Sequence, residues 1–219
     1  MPVTTFTLIQ NNLPVMLWGA GMTVLVSGIA IILGMPLGLV LCFGVSSSNR
    51  WVSRISRVYQ SVWRGTPILV QLLIIYYLLP LIGINVPPIL AAIIALTLNT
   101  IAFQAEIFRG GLQAIPPGQM EAARMVGIRI WAARRTILVP QIFRLVIPSL
   151  VNETISILKN SSLVSVIAVT ELMRVSQQIV ATTYRPFEIY IAAAVIYIVI
   201  NLVLSLAGRT AERRLAHGT

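Results

Sequence analysis

Five polar residues and one aromatic residue sit where a side chain has few ordinary partners: Asn99, Phe103 and Glu106 in one long apolar run, Glu153, Ser156 and Asn160 in another. Their spacings, i, i+4, i+7 and i, i+3, i+7, place each set on one face of a helix. A carboxylate receives an amino group and a side-chain amide receives a carboxylate, so two such faces turned inward can line a passage for a zwitterionic solute. The asparagines and the serine serve equally well as hydrogen bonds between helices. Ionisable groups inside an apolar span are expensive, which makes Glu106 and Glu153 functional candidates by default. At about 1.5 Å per residue, Glu106 falls near the far end of its run and Glu153 in the opposite half, which leaves open whether they touch one ligand. Other chemistry has little to work with. One histidine, His217, and one cysteine, Cys42, build neither a catalytic triad nor a metal site, and a lone cysteine makes no internal disulfide. No G-x-x-x-x-G-K-[ST] phosphate loop occurs, so the chain is expected to hydrolyse no ATP itself and to hold no cofactor of its own.

The elements that must position these groups are membrane helices. With 57% hydrophobic and 10% charged residues, the chain falls far below the roughly one quarter charged residues of a soluble domain. A spanning helix needs about 20 apolar residues, and five runs meet or approach that length: 13–45, 68–82, 89–108, 137–158 and 189–206. The first contains Gly34, Pro36 and Gly38 and is expected to tilt or kink at Pro36. The second is short unless entered from 51–64, where Trp51, Val52, Ile55, Tyr59, Val62 and Trp63 recur at helical spacing opposite Arg50, Arg54, Arg57 and Arg64. That pattern predicts a helix lying at the interface with its basic face toward lipid headgroups. Residues 163–169 are too few to cross and are expected to dip into or rest on the outer face, followed by a mixed segment at 170–185. The expectation is an all-α integral membrane protein, five transmembrane helices in a single domain over 1–219.

The net charge is +10, from 16 Lys and Arg against 6 acids. The basic residues lie between the apolar runs, which marks loops on one side of a bilayer rather than a phosphate-binding face, so nucleic acid is not an expected partner. Placing 46–66, 109–136, Arg144 and the C-terminal segment in the cytoplasm leaves only Lys159, Arg174 and Arg185 outside. The positive-inside bias then sets the N-terminus outside and the C-terminus in the cytoplasm.

The longest cytoplasmic loop, about 116–136, has its own grammar. Pro116, Pro117 and Gly118 end the preceding structure, and 119–126 reads as a short helix with Glu121 in its first turn, where the helix dipole favours a carboxylate. Gly127 is suited to a left-handed turn that ends this helix, and a second short helix over 130–138 leads back to the membrane. Ala122 and Ala123 add little bulk, so another surface can approach closely.

Glu121, Ala122, Ala123, then Gly127, Ile137, Val139 and Pro140 resemble the EAA loop of ATP-binding-cassette importer permeases, with Val139 where the family pattern has Leu. RGTPILVQL at 64–72, AEIFRGGLQAIPPGQ at 105–119 and LKNSSLVSVIAV at 158–169 are similar to the polar amino acid permeases of that superfamily. The resemblance implies that the loop docks in a groove of a cytoplasmic ATP-binding-cassette ATPase, which binds the ATP, with Glu121, Ala122, Ala123 and Gly127 as its contact motif. It implies a second permease copy or a similar permease as partner, and an extracytoplasmic solute-binding protein received near 170–185, with Glu171, Arg174 and Arg185 as rim contacts. It also implies an amino acid substrate, whether cationic, acidic or neutral, passing the segments that carry Glu106 and Glu153. Asn160 stands where many relatives have Asp, which removes one anchor for a cationic substrate. An ion-coupled secondary transporter using Glu106 and Glu153 as carriers is the competing reading, opposed by the absence of an internal repeat.

Overall fold

A chain this apolar must satisfy its backbone internally, and helices do so within one segment. The computed structural model describes residues 5–216, so His217 lies outside them. Among the described residues nine α-helices follow in order: α1 (Thr5–Val45), α2 (Arg50–Gly65), α3 (Ile68–Leu81), α4 (Pro88–Ala114), α5 (Gly118–Met125), α6 (Ile130–Ala133), α7 (Val139–Asn160), α8 (Leu172–Thr183) and α9 (Pro186–Ala216). A π turn, Arg134–Leu138, joins α6 to α7, and a 3-10 turn, Ser161–Ile167, extends α7. Among these residues four helical stretches are long and apolar enough to cross a membrane, and α2 with α3, bent by 107°, make a fifth if the pair forms one span.

The helix α1 begins at Thr5 rather than near residue 13, and neither Pro14 nor Pro36 ends it. At about 1.5 Å per residue its 41 residues reach roughly twice the hydrocarbon thickness of a bilayer. Its two halves meet different partners. The N-terminal half packs Met16 and Ala20 against Leu172, Val175 and Ile179 of α8 and Ile189 of α9. The C-terminal half lies on α4 through Gly34 and Gly38. A Cβ at Gly34 would stand 2.6 Å from Thr100 Cγ2, and one at Gly38 would stand 3.0 Å from Gln104 Cβ. Four residues along α1 therefore match four along α4, so the two helices run parallel, with small residues permitting the close approach.

The bend between α2 and α3 falls where Pro67 removes a backbone donor and Thr66 is extended. Side chains hold it. Gln71 Nε2 donates to the Trp63 carbonyl at 2.8 Å and to Thr66 Oγ1 at 2.7 Å. The Asn99 amide donates to Gln71 Oε1 at 2.8 Å and Tyr59 donates to the Leu98 carbonyl at 2.7 Å, tying the elbow to the middle of α4. The boundaries of α2 match the sequence pattern, but the face turned inward is Ser53 and Gln60, while Trp51, Ile55 and Val62 are exposed. Its neighbour α4 offers polar groups at that level, so hydrogen bonding rather than apolar burial orients the helix.

Of the two expectations for residues 163–169, resting on the outer face fails and dipping inward agrees: Val164, Ile167 and Val169 are buried among Val26, Ala30, Leu72, Ala91, Ala92, Ala95 and Leu96. The 3-10 turn ends at Ala168 in the left-handed region, φ 62°, and redirects the chain into α8. The mixed segment that follows is ordered as α8, capped by Glu171 and ended by Tyr184 at φ 55°.

Candidate functional site

Two regions matter, the loop between α4 and α7 and the polar face of the bundle. In the loop, the helix α5 closes as a Schellman turn. Gly127 N–H donates to the Arg124 carbonyl at 3.0 Å and Ile128 N–H to the Ala123 carbonyl at 3.0 Å. The closure requires a left-handed residue, and Gly127 has φ +76°. Of the motif residues, Glu121, Ala122 and Gly127 are exposed, whereas Ala123 is turned into the loop's own interior. Around them are apolar side chains that no described residue covers: Met125 is 87% exposed and Trp131 70%, with Val126 and Ile130 between them in sequence. Such a patch on a polar loop marks a surface meant for another protein.

The helix α4 places Asn99, Phe103 and Glu106 on the side facing α2. Asn99 is buried in the elbow, bonded to Gln71 and to the Trp63 carbonyl. Glu106 is held by Arg109 through two hydrogen bonds, one at 2.9 Å to Oε2, and it accepts from Gln60 Nε2 at 3.0 Å. Arg64 approaches the same carboxylate at 3.5 Å while its guanidinium lies 5.6 Å from the centre of the Phe103 ring.

Glu153, Ser156 and Asn160 project from α7 and are half-buried. Glu153 makes no hydrogen bond among the described residues, and Arg64 is the charge that acts on it through space. Arg64 thus acts on both glutamates that sequence spacing left apart, as an ion pair with Glu106 at 3.5 Å and through space on Glu153. It belongs to the RGTP stretch, but grouping it with Arg50, Arg54 and Arg57 by helical periodicity hid its role; its place at the last turn before Pro67 was the available signal. Chemically, a guanidinium offers an anchor for a carboxylate and a carboxylate an anchor for an amino group, one for each end of a zwitterion.

Glu171 is not a rim residue. It is 0% exposed, accepts from Thr23 Oγ1 at 3.2 Å, from the Tyr197 hydroxyl at 2.9 Å and from the Arg174 N–H at 2.8 Å. Burial pushes its carboxyl above the ordinary glutamate range against the pull of these donors. It therefore ties α8 to α1 and α9. Arg185 pairs with Glu188 at 2.7 Å at the start of α9.

Comparison with known proteins agrees with this arrangement. Residues 30–217 match the family model described as binding-protein-dependent transport system inner membrane component. The arginine transport system permease protein ArtQ of Bacillus subtilis (strain 168) is 39% identical over 205 residues, which cover 93% of this chain and 94% of that one. The glutamine transport system permease protein GlnP of Escherichia coli (strain K12) is 36% identical with the same coverage. A crystal structure of an amino acid ABC transporter with histidines superposes with a TM-score of 0.86 at 39% identity, covering 98% of this chain and all of that one. Parallel α1 and α4, the elbow of α2 and α3 and the capped loop between α4 and α7 are thus features of a chain that belongs to the family of binding-protein-dependent transport system inner membrane components.

Proposed function

We propose that this chain is the permease subunit of an ATP-driven importer of polar amino acids, a single domain that moves substrate while a cytoplasmic ATP-binding-cassette ATPase hydrolyses the ATP. The carrying observation is the loop, whose exposed Met125, Val126, Ile130 and Trp131 surround a Schellman-capped helix bearing Glu121, Ala122 and Gly127. An apolar knob on a rigid turn suits docking in a groove of the ATPase, and the chain has no phosphate loop to supply the energy itself. The distribution of arginines supports a cytoplasmic loop and C-terminus with the N-terminus outside. Relatives named for arginine and glutamine transport support the substrate class, not one amino acid. A second permease copy or a similar permease would complete the channel, and an extracytoplasmic binding protein would deliver the solute.

On the substrate side, Arg64 would hold a carboxylate and Glu153 an amino group, with Asn99, Phe103, Glu106, Ser156 and Asn160 around them. The test is reconstitution in proteoliposomes. Uptake that requires both ATP and the ATPase is expected, and gradient-driven uptake by this chain alone would overturn the reading in favour of an ion-coupled carrier.

A further inference from the structure

The loop sits on α5, and Glu153, Ser156 and Asn160 sit on α7. Along the chain the two are joined through the π turn Arg134–Leu138. Its cause is Pro140, which has no N–H and whose ring crowds the carbonyl four residues back, at Thr136. The turn before it widens to i→i+5 bonding, a form seen mostly as single turns at functional positions. A widened turn holds its ends less firmly than an α-helical one.

Beside this turn lies a second connection. Gln119 Nε2 donates to Gln141 Oε1 at 3.0 Å, and Gln141 Nε2 donates back to Gln119 Oε1 at 2.7 Å. Gln141 Nε2 also donates to the Ile137 carbonyl at 2.8 Å, inside the π turn. Both glutamines are half-buried. Two reciprocal bonds between planar amides fix orientation as well as distance, which one bond does not.

We propose that the Gln119–Gln141 amide ring is the transmission joint of this permease: it carries displacement of α5 directly into α7 and bypasses the pliable π turn. This rests on the reading of the loop as the ATPase contact. Neither glutamine is among the pathway or ATPase-contact residues named above, so both are positioning residues. Coupling between distant sites commonly amounts to 5–150-fold, and loss of this ring is expected to lower uptake per ATP hydrolysed by roughly tenfold.

The experiment uses the full complex of permease, ATPase and binding protein in proteoliposomes, measuring uptake and hydrolysis together. Gln119→Leu and Gln141→Leu are each expected to cut uptake per ATP while the ATPase still co-purifies and basal hydrolysis is unchanged. The double variant is expected to be no worse than either single, because residues acting as one unit are not additive. Gln119→Glu combined with Gln141→Lys is expected to recover coupling through an ion pair. If the Leu variants fail to reach the membrane, Gln119→Glu alone serves, since it keeps an acceptor and loses the donor; an intermediate loss is then expected. Normal coupling in these variants, or single losses that multiply in the double, would overturn the joint. Wild-type uptake that ignores the ATPase would instead overturn the reading of the loop.

Discussion

Replacing Gly127 tests the loop without disturbing any packing. A Cβ there meets no atom within 4 Å, so Gly127→Ala introduces no clash inside the chain. What changes is the backbone, since φ is +76° and an L-residue in that region carries a cost of about 1–2 kcal/mol. Applied to the Schellman turn, that cost shifts the equilibrium between docking-competent and open loop by roughly 5–30-fold, and the apparent affinity for the ATPase falls by up to the same factor. Gly127→Asn should lose less, because Asn tolerates left-handed backbone better than other side chains. Gly127→Val should lose most, being branched at Cβ. The assay is titration of purified ATPase against permease in nanodiscs, with stimulated hydrolysis as readout. An unchanged affinity for Gly127→Ala, or a loss for Gly127→Asn equal to that for Gly127→Val, would refute the backbone account and point to steric contact with the partner.

Three further outcomes are expected. Glu153→Gln should change transport kinetics in proteoliposomes while the protein inserts normally, because among the described residues this carboxylate has no hydrogen-bond partner to lose; unchanged kinetics would count against its place in the pathway. Arg64→Gln should depress uptake more than membrane accumulation, since Glu106 keeps Arg109 and Gln60 while Glu153 loses the positive charge that acts on it through space. Glu171→Ala strands the Thr23 and Tyr197 hydroxyls and the Arg174 N–H, at about 1–3 kcal/mol for a buried group left unsatisfied, and should lower the unfolding temperature in detergent. Glu171→Gln keeps an acceptor and should lose less; equal losses would argue against the hydrogen bonds as the cause.

Much of this was legible in the sequence, for identifiable reasons. The loop was readable almost residue by residue, since Pro117, Glu121 and Gly127 act through local backbone rules that need no tertiary context. Apolar run length located the spans, though α1 and α9 extend beyond them because capping and packing, not hydropathy, decide where a helix stops. The segment at 163–169 misled in part because a length ruler treats a short apolar run as a surface element, whereas here it continues a longer helix into a buried 3-10 turn. Arg64 and Glu171 were hidden for a common reason. Each charge is explained by partners far away in sequence, Glu106 and Glu153 for one, Thr23 and Tyr197 for the other. Periodicity sorts residues by face and says nothing about what lies opposite.

The glycine contacts between α1 and α4 divide the labour of this bundle. Thr100 and Gln104 press on Gly34 and Gly38 from one side of α4, and Asn99, Phe103 and Glu106 occupy another side of the same helix. With no side chain on α1 to yield at that seam, α1 and α4 are built to travel as one body. The 107° elbow that Asn99 pins to α4 goes with them, and the moving part is to be sought in α7, entered through a widened turn. A solute leaving the site would therefore be released by the wall that carries Glu153 moving away from the wall that carries Glu106.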